Sequence, residues 1–138
     1  MKKNLLEEPE IIYEVKTKKP TYLNYVYVML DPTKKGEYVF NNYSFEYEPF
    51  YVGKGRYLRI ESHFTKSSLS KKSPKNEKIK YLLSQNIDPI VVVISDNLPN
   101  LVAHNIENIL IKKIGRKDLN EGTLLNRIGG KSHCILKI

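Results

Sequence analysis

The sequence predicts an α+β fold with a small antiparallel or mixed sheet, and three observations carry that reading. Tyrosine- and valine-rich runs at 23–30 and 50–53 read as strands, and a β-branched run at 89–95 reads as a third. Segments 73–86 and 99–114 carry apolar residues at helical spacing. Strands and helices mix without regular β–α alternation. With 138 residues, 41% of them hydrophobic, the chain has room for one modest core.

Residues 1–20 mix acids and lysines and close on Pro20, which marks an N-terminal arm with one strand-like stretch, 11–15; residues 21–138 form the domain proper. The first core strand, 23–30, is expected to stop at Asp31-Pro32. Tyr38, Phe40, Tyr43, Phe45 and Tyr47 alternate on either side of Asn41-Asn42, the pattern of a hairpin turn. The next core strand is entered through Pro49 and broken by Gly53-Lys54-Gly55. A helix is expected over 56–64, then a mobile polar loop over 65–72. Ser73-Pro74 supplies an N-cap with proline at the first helical position. The run 89–95 is expected to be a buried strand, and the last helix ends at Gly115 with Lys112 and Lys113 in its final turn.

The longest apolar run, 90–94, is far too short to span a bilayer, and the N-terminus lacks the apolar stretch of a signal peptide. A soluble, cytoplasmic protein with no membrane partner is the expectation. The single cysteine, Cys134, excludes an internal disulfide, and with three dispersed histidines it leaves no zinc-ligand spacing. Formal net charge is +8 and unevenly placed: nine basic residues against Glu61 and Glu77 between Lys54 and Lys80 give that segment +7. Such a stretch suits a polyanion such as nucleic acid, or else forms a solvated lysine-rich face.

Glu107 is the sharpest anomaly. At 100° per residue, Ala103, Leu110, Ile111 and Ile114 fall within about 60° of it, so it lies on or beside the inward face of its helix. A buried carboxylate needs a cation, an arginine or a metal; the alternative is a boundary glutamate reaching solvent or pairing with Arg116. Arg59 and His63 share a helix face at i, i+4 spacing and could present a guanidinium fork and an imidazole to a phosphate, or flank the core as a surface pair. Tyr27 and Tyr51 are ordinary strand residues unless nearby positive charge lowers a phenol pKa from about 10. Asn126 either caps a loop or hydrogen-bonds across a site.

In order, the chain reads Tyr25-Val26-Tyr27, Tyr51-Val52-Gly53, Arg59 with His63, Glu107, and Asn126 before Gly129-Gly130. This series resembles the five motifs of the GIY-YIG endonuclease superfamily over residues 22–130, with Tyr25 and Val52 standing where the motifs carry glycine and isoleucine. The tyrosine-rich hairpin is similar to the inserted loop of the phage and intron homing-type branch. Those members usually continue into a DNA-binding region, so a stand-alone nuclease and a catalytic fragment both stay open.

The resemblance implies a central three-stranded antiparallel sheet flanked by helices, with the hairpin inserted between its first two strands. It further implies DNA cleavage with one Mg2+ or Mn2+. Carried over residue by residue, Tyr27 and Tyr51 match the motif tyrosines, Arg59 the helix arginine, His63 the histidine one turn later, Glu107 the metal-binding glutamate and Asn126 the late asparagine. Tyr27 is then the expected general base, and Lys54, Arg56, Lys66, Lys71, Lys72 and Lys75 the expected DNA contacts. A non-catalytic nucleic-acid-binding module of the same fold is the competing expectation.

Overall fold

The computed structural model describes residues 23–130; the N-terminal arm, Cys134 and His133 lie outside the described residues. Three strands, β1 (Asn24–Phe40), β2 (Tyr43–Gly55) and β3 (Ile90–Leu98), form one antiparallel sheet in the order β2-β1-β3. The helices are α1 (Arg59–Ser62), α2 (Lys66–Leu69), α3 (Pro74–Ser84) and α4 (Asn100–Ile114), followed by a 3-10 turn at Lys117–Leu119. Among the described residues no helix is long and apolar enough to cross a membrane.

Helix α4 covers one face of β1 and α3 the other, so its alternation divides two cores. Val26, Val28 and Leu30 join Val52, Phe45 and the Ala103, Leu110, Ile111 and Ile114 face of α4. Tyr25, Tyr27 and Met29 point the other way, onto Phe50 and the Ile79 and Leu82 face of α3. Each fully buried aliphatic side chain here contributes about 1.5–3 kcal/mol relative to exposure.

The structure departs from the sequence expectations at four points. Strand β1 does not stop at Asp31-Pro32 but runs on to the turn at Asn41, so β1 and β2 form one long hairpin with shifted register between Asp31 and Tyr38. Proline lacks an N–H, and this irregular stretch is where a ladder tolerates one. Asp31 stabilises it: its carboxylate accepts from the Thr33 N–H at 2.9 Å and pairs with Lys78 at 2.5 Å.

Strand β3 is a half-buried edge strand rather than a buried one, because it pairs with β1 alone. The helix expected over 56–64 is one turn, starting at Arg59, since Tyr57 takes a left-handed conformation (φ 50°). The expected loop over 65–72 contains α2, whose N-cap Thr65 accepts from the Ser68 N–H at 3.2 Å. The helix begun by Ser73-Pro74 and the stop of α4 at Gly115 (φ 98°) follow expectation.

Candidate active site

The two motif tyrosines sit side by side at the α3 side of the sheet, ring centroids 6.4 Å apart. Tyr27 is fully buried, and its partner across the β1–β2 ladder is Gly53. A Cβ on Gly53 would lie 2.3 Å from the Tyr27 hydroxyl, so the glycine of the second motif makes the space that the tyrosine of the first one fills. Gly55 does the same for Arg59: a Cβ there would stand 2.2 Å from the arginine Cγ.

Arg59 stands exposed at the start of α1, and its positive charge acts on both Tyr27 and Tyr51. Burial raises both phenols above their ordinary pKa, Tyr27 the further, and the guanidinium only partly offsets it. The turn that aims Arg59 is held by Tyr25, the residue standing where the motif carries glycine. Its hydroxyl donates to the Tyr57 carbonyl at 2.7 Å and accepts from the Ile60 N–H at 3.2 Å. It therefore caps α1, which has no cap from its own Leu58.

His63 is buried, and its Nε2 meets the Tyr27 hydroxyl. Its Nδ1 meets Lys75 Nζ, from the first turn of α3, at 2.9 Å. Burial, then the Lys75 and Arg59 charges, push the imidazole down to about 3, so His63 is neutral at physiological pH. Lys75 is itself lowered by burial and by Arg59.

Glu107 enters from α4, with its side chain 20% exposed. Burial raises its carboxyl, against the opposing charges of Lys54 and Arg59. The Glu107 charge also raises the Tyr51 phenol, so Glu107 acts on Tyr51 and is itself acted on by Lys54 and Arg59. The Arg116 pairing is not realised: that guanidinium is bidentate on Asp118 at 2.9 and 2.7 Å.

His104 lies beside Glu107, its Nδ1 4.0 Å from the carboxylate. The Gly130 N–H donates to Asn108 Oδ1 at 2.8 Å, which fixes the Asn108 amide so that its Nδ2 donates to His104 Nε2 at 3.0 Å. The neutral ring therefore carries its proton on Nδ1, towards Glu107. A protonated nitrogen does not ligate a metal, and at 4.0 Å the ring stands beyond hydrogen-bond reach of the carboxylate.

Asn126 does not reach across the site. Its amide pairs with the backbone of Val52, accepting from the N–H at 3.0 Å and donating to the carbonyl at 2.8 Å, directly behind Tyr51. Lys54 donates to Asn100 Oδ1 at 2.7 Å and lines a polar cleft of about 440 Å³ with Arg56 and Asn24. Lys66, Lys71 and Lys72 are exposed on and just after α2, away from these contacts.

The capping role of Tyr25 and the places of His104 and Asn108 beside Glu107 escaped the sequence reading. The i, i+3 spacing of His104 and Glu107 was a usable signal; the Tyr25 cap, which depends on the fold of 56–60, was not.

Among the described residues no three His, Cys, Asp or Glu side chains gather into a metal cluster. A single carboxylate is still a sufficient protein donor for Mg2+, which keeps several waters and takes substrate phosphate oxygens. Glu107 fits that role, since burial outweighs the positive charges beside it and leaves its negative charge under-compensated.

An arginine beside paired phenols and a lone inward carboxylate thus sits on a small antiparallel sheet with flanking helices. A family model described as the LEM-3-like GIY-YIG domain matches residues 24–133, and the chain belongs to the GIY-YIG family. Within it, the matching model is a LEM-3-like one, whereas the hairpin had suggested the homing-type branch. Membership carries nucleic-acid binding in general. No curated protein and no solved structure matches the chain significantly.

Proposed function

We propose that the protein is an endonuclease that hydrolyses DNA phosphodiester bonds, with Glu107 holding one Mg2+ or Mn2+. The observation that carries this reading is the convergence of Glu107, from α4, with Arg59 and the Tyr27–Tyr51 pair from the sheet side. Bound at Glu107, the divalent ion supplies Lewis-acid stabilisation of charge on the phosphate and on the leaving oxygen.

The chain's own residues do the rest. Arg59 forks onto the scissile phosphate and offsets charge in the transition state. Tyr27 takes a proton from the attacking water; its raised pKa makes the phenolate scarce but strongly basic. Tyr51, the more exposed phenol, orients that water. His63 exchanges a proton with Tyr27, Lys54 adds positive field beside Glu107, and Asn126 holds β2 in place behind Tyr51.

The test is cleavage of supercoiled, linear and branched DNA in Mg2+ or Mn2+. Wild type should nick or linearise at least one form. Glu107→Ala and Arg59→Ala should abolish cutting while circular dichroism stays unchanged. A folded wild type that binds DNA and cuts no form in either ion overturns the nuclease and leaves a binding module.

A further inference from the structure

We propose that Lys75 is the far end of a proton relay, Tyr27–His63–Lys75, which fixes the His63 tautomer and receives the Tyr27 proton. The proposal rests on the reading of Tyr27 as the base. Lys75 acts through His63 and does not touch substrate, so it is a positioning residue. It belongs to the basic segment by composition, yet its Nζ is turned onto His63 Nδ1 at 2.9 Å and lies over the Tyr51 ring, 5.4 Å from the centroid.

The geometry gives each nitrogen of His63 one partner: Tyr27 on Nε2 and Lys75 on Nδ1. The other groups acting on the ring are Tyr51 on β2 and Arg59 on α1; neither is a carboxylate that would hold an imidazolium. A neutral ring between two partners can still pass a proton, accepting at one nitrogen while releasing at the other.

The two ends of that shift hold the same protons. In the first, reached when the Lys75 ammonium of the resting protein gives a proton to solvent and the ring proton moves from Nε2 to Nδ1, the Lys75 amine is neutral, Nδ1 carries the ring proton and Tyr27 is a phenol donating to Nε2. In the second, the Tyr27 O–H bond has broken and an Nε2–H bond has formed, while the Nδ1–H bond has broken and an Nζ–H bond has formed. Tyr27 is then a phenolate, Lys75 an ammonium, and His63 neutral as before. Lys75 suits the terminal position because burial and Arg59 ease its deprotonation, and its half-exposed amine can return the proton to solvent.

Lys75→Met and Lys75→Arg separate the relay from a phosphate contact. Arginine keeps the charge and can donate to Nδ1, but a guanidinium does not give up its proton and so cannot receive one. At saturating DNA, both variants should lower the single-turnover cleavage rate by about 10²-fold or more, the range of a lost proton-transfer step. Lys75→Arg should bind DNA as wild type does. The rise of rate with pH should move to higher pH in Lys75→Met, where Tyr27 must ionise alone.

The free proteins give a readout independent of cutting. The 15N resonances of His63 should show an unprotonated, hydrogen-bonded Nδ1 in wild type and Lys75→Arg, and a changed tautomer balance in Lys75→Met. Wild-type cleavage rates in either variant, with only DNA affinity weakened in Lys75→Met, overturn the relay. If wild type cuts nothing, the nuclease reading fails. The resonances then decide alone: the same His63 signals in wild type and Lys75→Met overturn the relay, and altered ones uphold it.

Discussion

His63 shows how one buried residue ties the site to the fold. It is 3% exposed, and its ring is held neutral by burial and by two neighbouring cations. Its pKa in the folded state, about 3, lies below the ordinary 6.5, so in that interval the unfolded chain binds a proton that the folded chain does not. Stability from this group is therefore fully present above about pH 6.5 and is lost as pH falls towards about 3. Replacing His63 by Gln should flatten that part of the stability–pH curve, read by urea denaturation across the interval. Glu107, raised, and Asp31, lowered through Lys78 and Thr33 against its own burial, titrate in both proteins, so the difference isolates His63. An unchanged slope in His63→Gln would show that the ring is not held neutral.

At the scale of elements, β2 carries Tyr51 and the Gly53 that accommodates Tyr27, yet it is an edge strand. Asn126 supplies the missing neighbour by pairing with both backbone groups of Val52. Asn126→Ala leaves a buried N–H and carbonyl without partners and should cost about 1–3 kcal/mol in denaturant unfolding. It should also speed exchange of the Val52 amide. Asn126→Asp should not recover the loss, because a carboxylate accepts from the Val52 N–H but has nothing to donate to its carbonyl. Equal stability of wild type and Asn126→Ala would sink this account of the edge.

The elements that were legible from sequence are those with local signals: the Asn41-Asn42 turn, the Ser73-Pro74 cap and the Gly115 stop. The left-handed Tyr57 that shortens α1, and the passage of β1 through Pro32, depend on Tyr25 and on the Asp31–Lys78 pair, which are distant partners. The same division runs through the site. Glu107 announced itself by helical periodicity, whereas the contact of Lys75 with His63 spans separate elements and left no mark in the spacing.

Over the whole molecule, the basic segment resolves into lysines with different work. Lys78 is tied to Asp31 and lies over Phe50, Lys80 is paired with Glu77 at 3.2 Å, and Lys54 and Lys75 face the site. Lys66, Lys71 and Lys72 stand exposed on and beside α2, which Asn76 fastens to α3 by donating to the Ser68 and Lys71 carbonyls at 2.9 and 2.7 Å. A fixed exposed cluster of this kind is suited to tracking a phosphate backbone without reading bases. Each lysine that neutralises one phosphate of duplex DNA should contribute about 0.9 to the slope of log affinity against log salt. Replacing all three by Ala should therefore make the slope shallower by roughly 2–3 and weaken binding evenly across DNA sequences, measured by fluorescence anisotropy at several salt concentrations. Lys78→Ala is the contrasting case: with Asp31 left buried and unpaired, it should lower the denaturation midpoint and leave the salt slope nearly intact. If the triple replacement leaves the slope unchanged, DNA runs along another face, and the charge on α2 serves solvation alone.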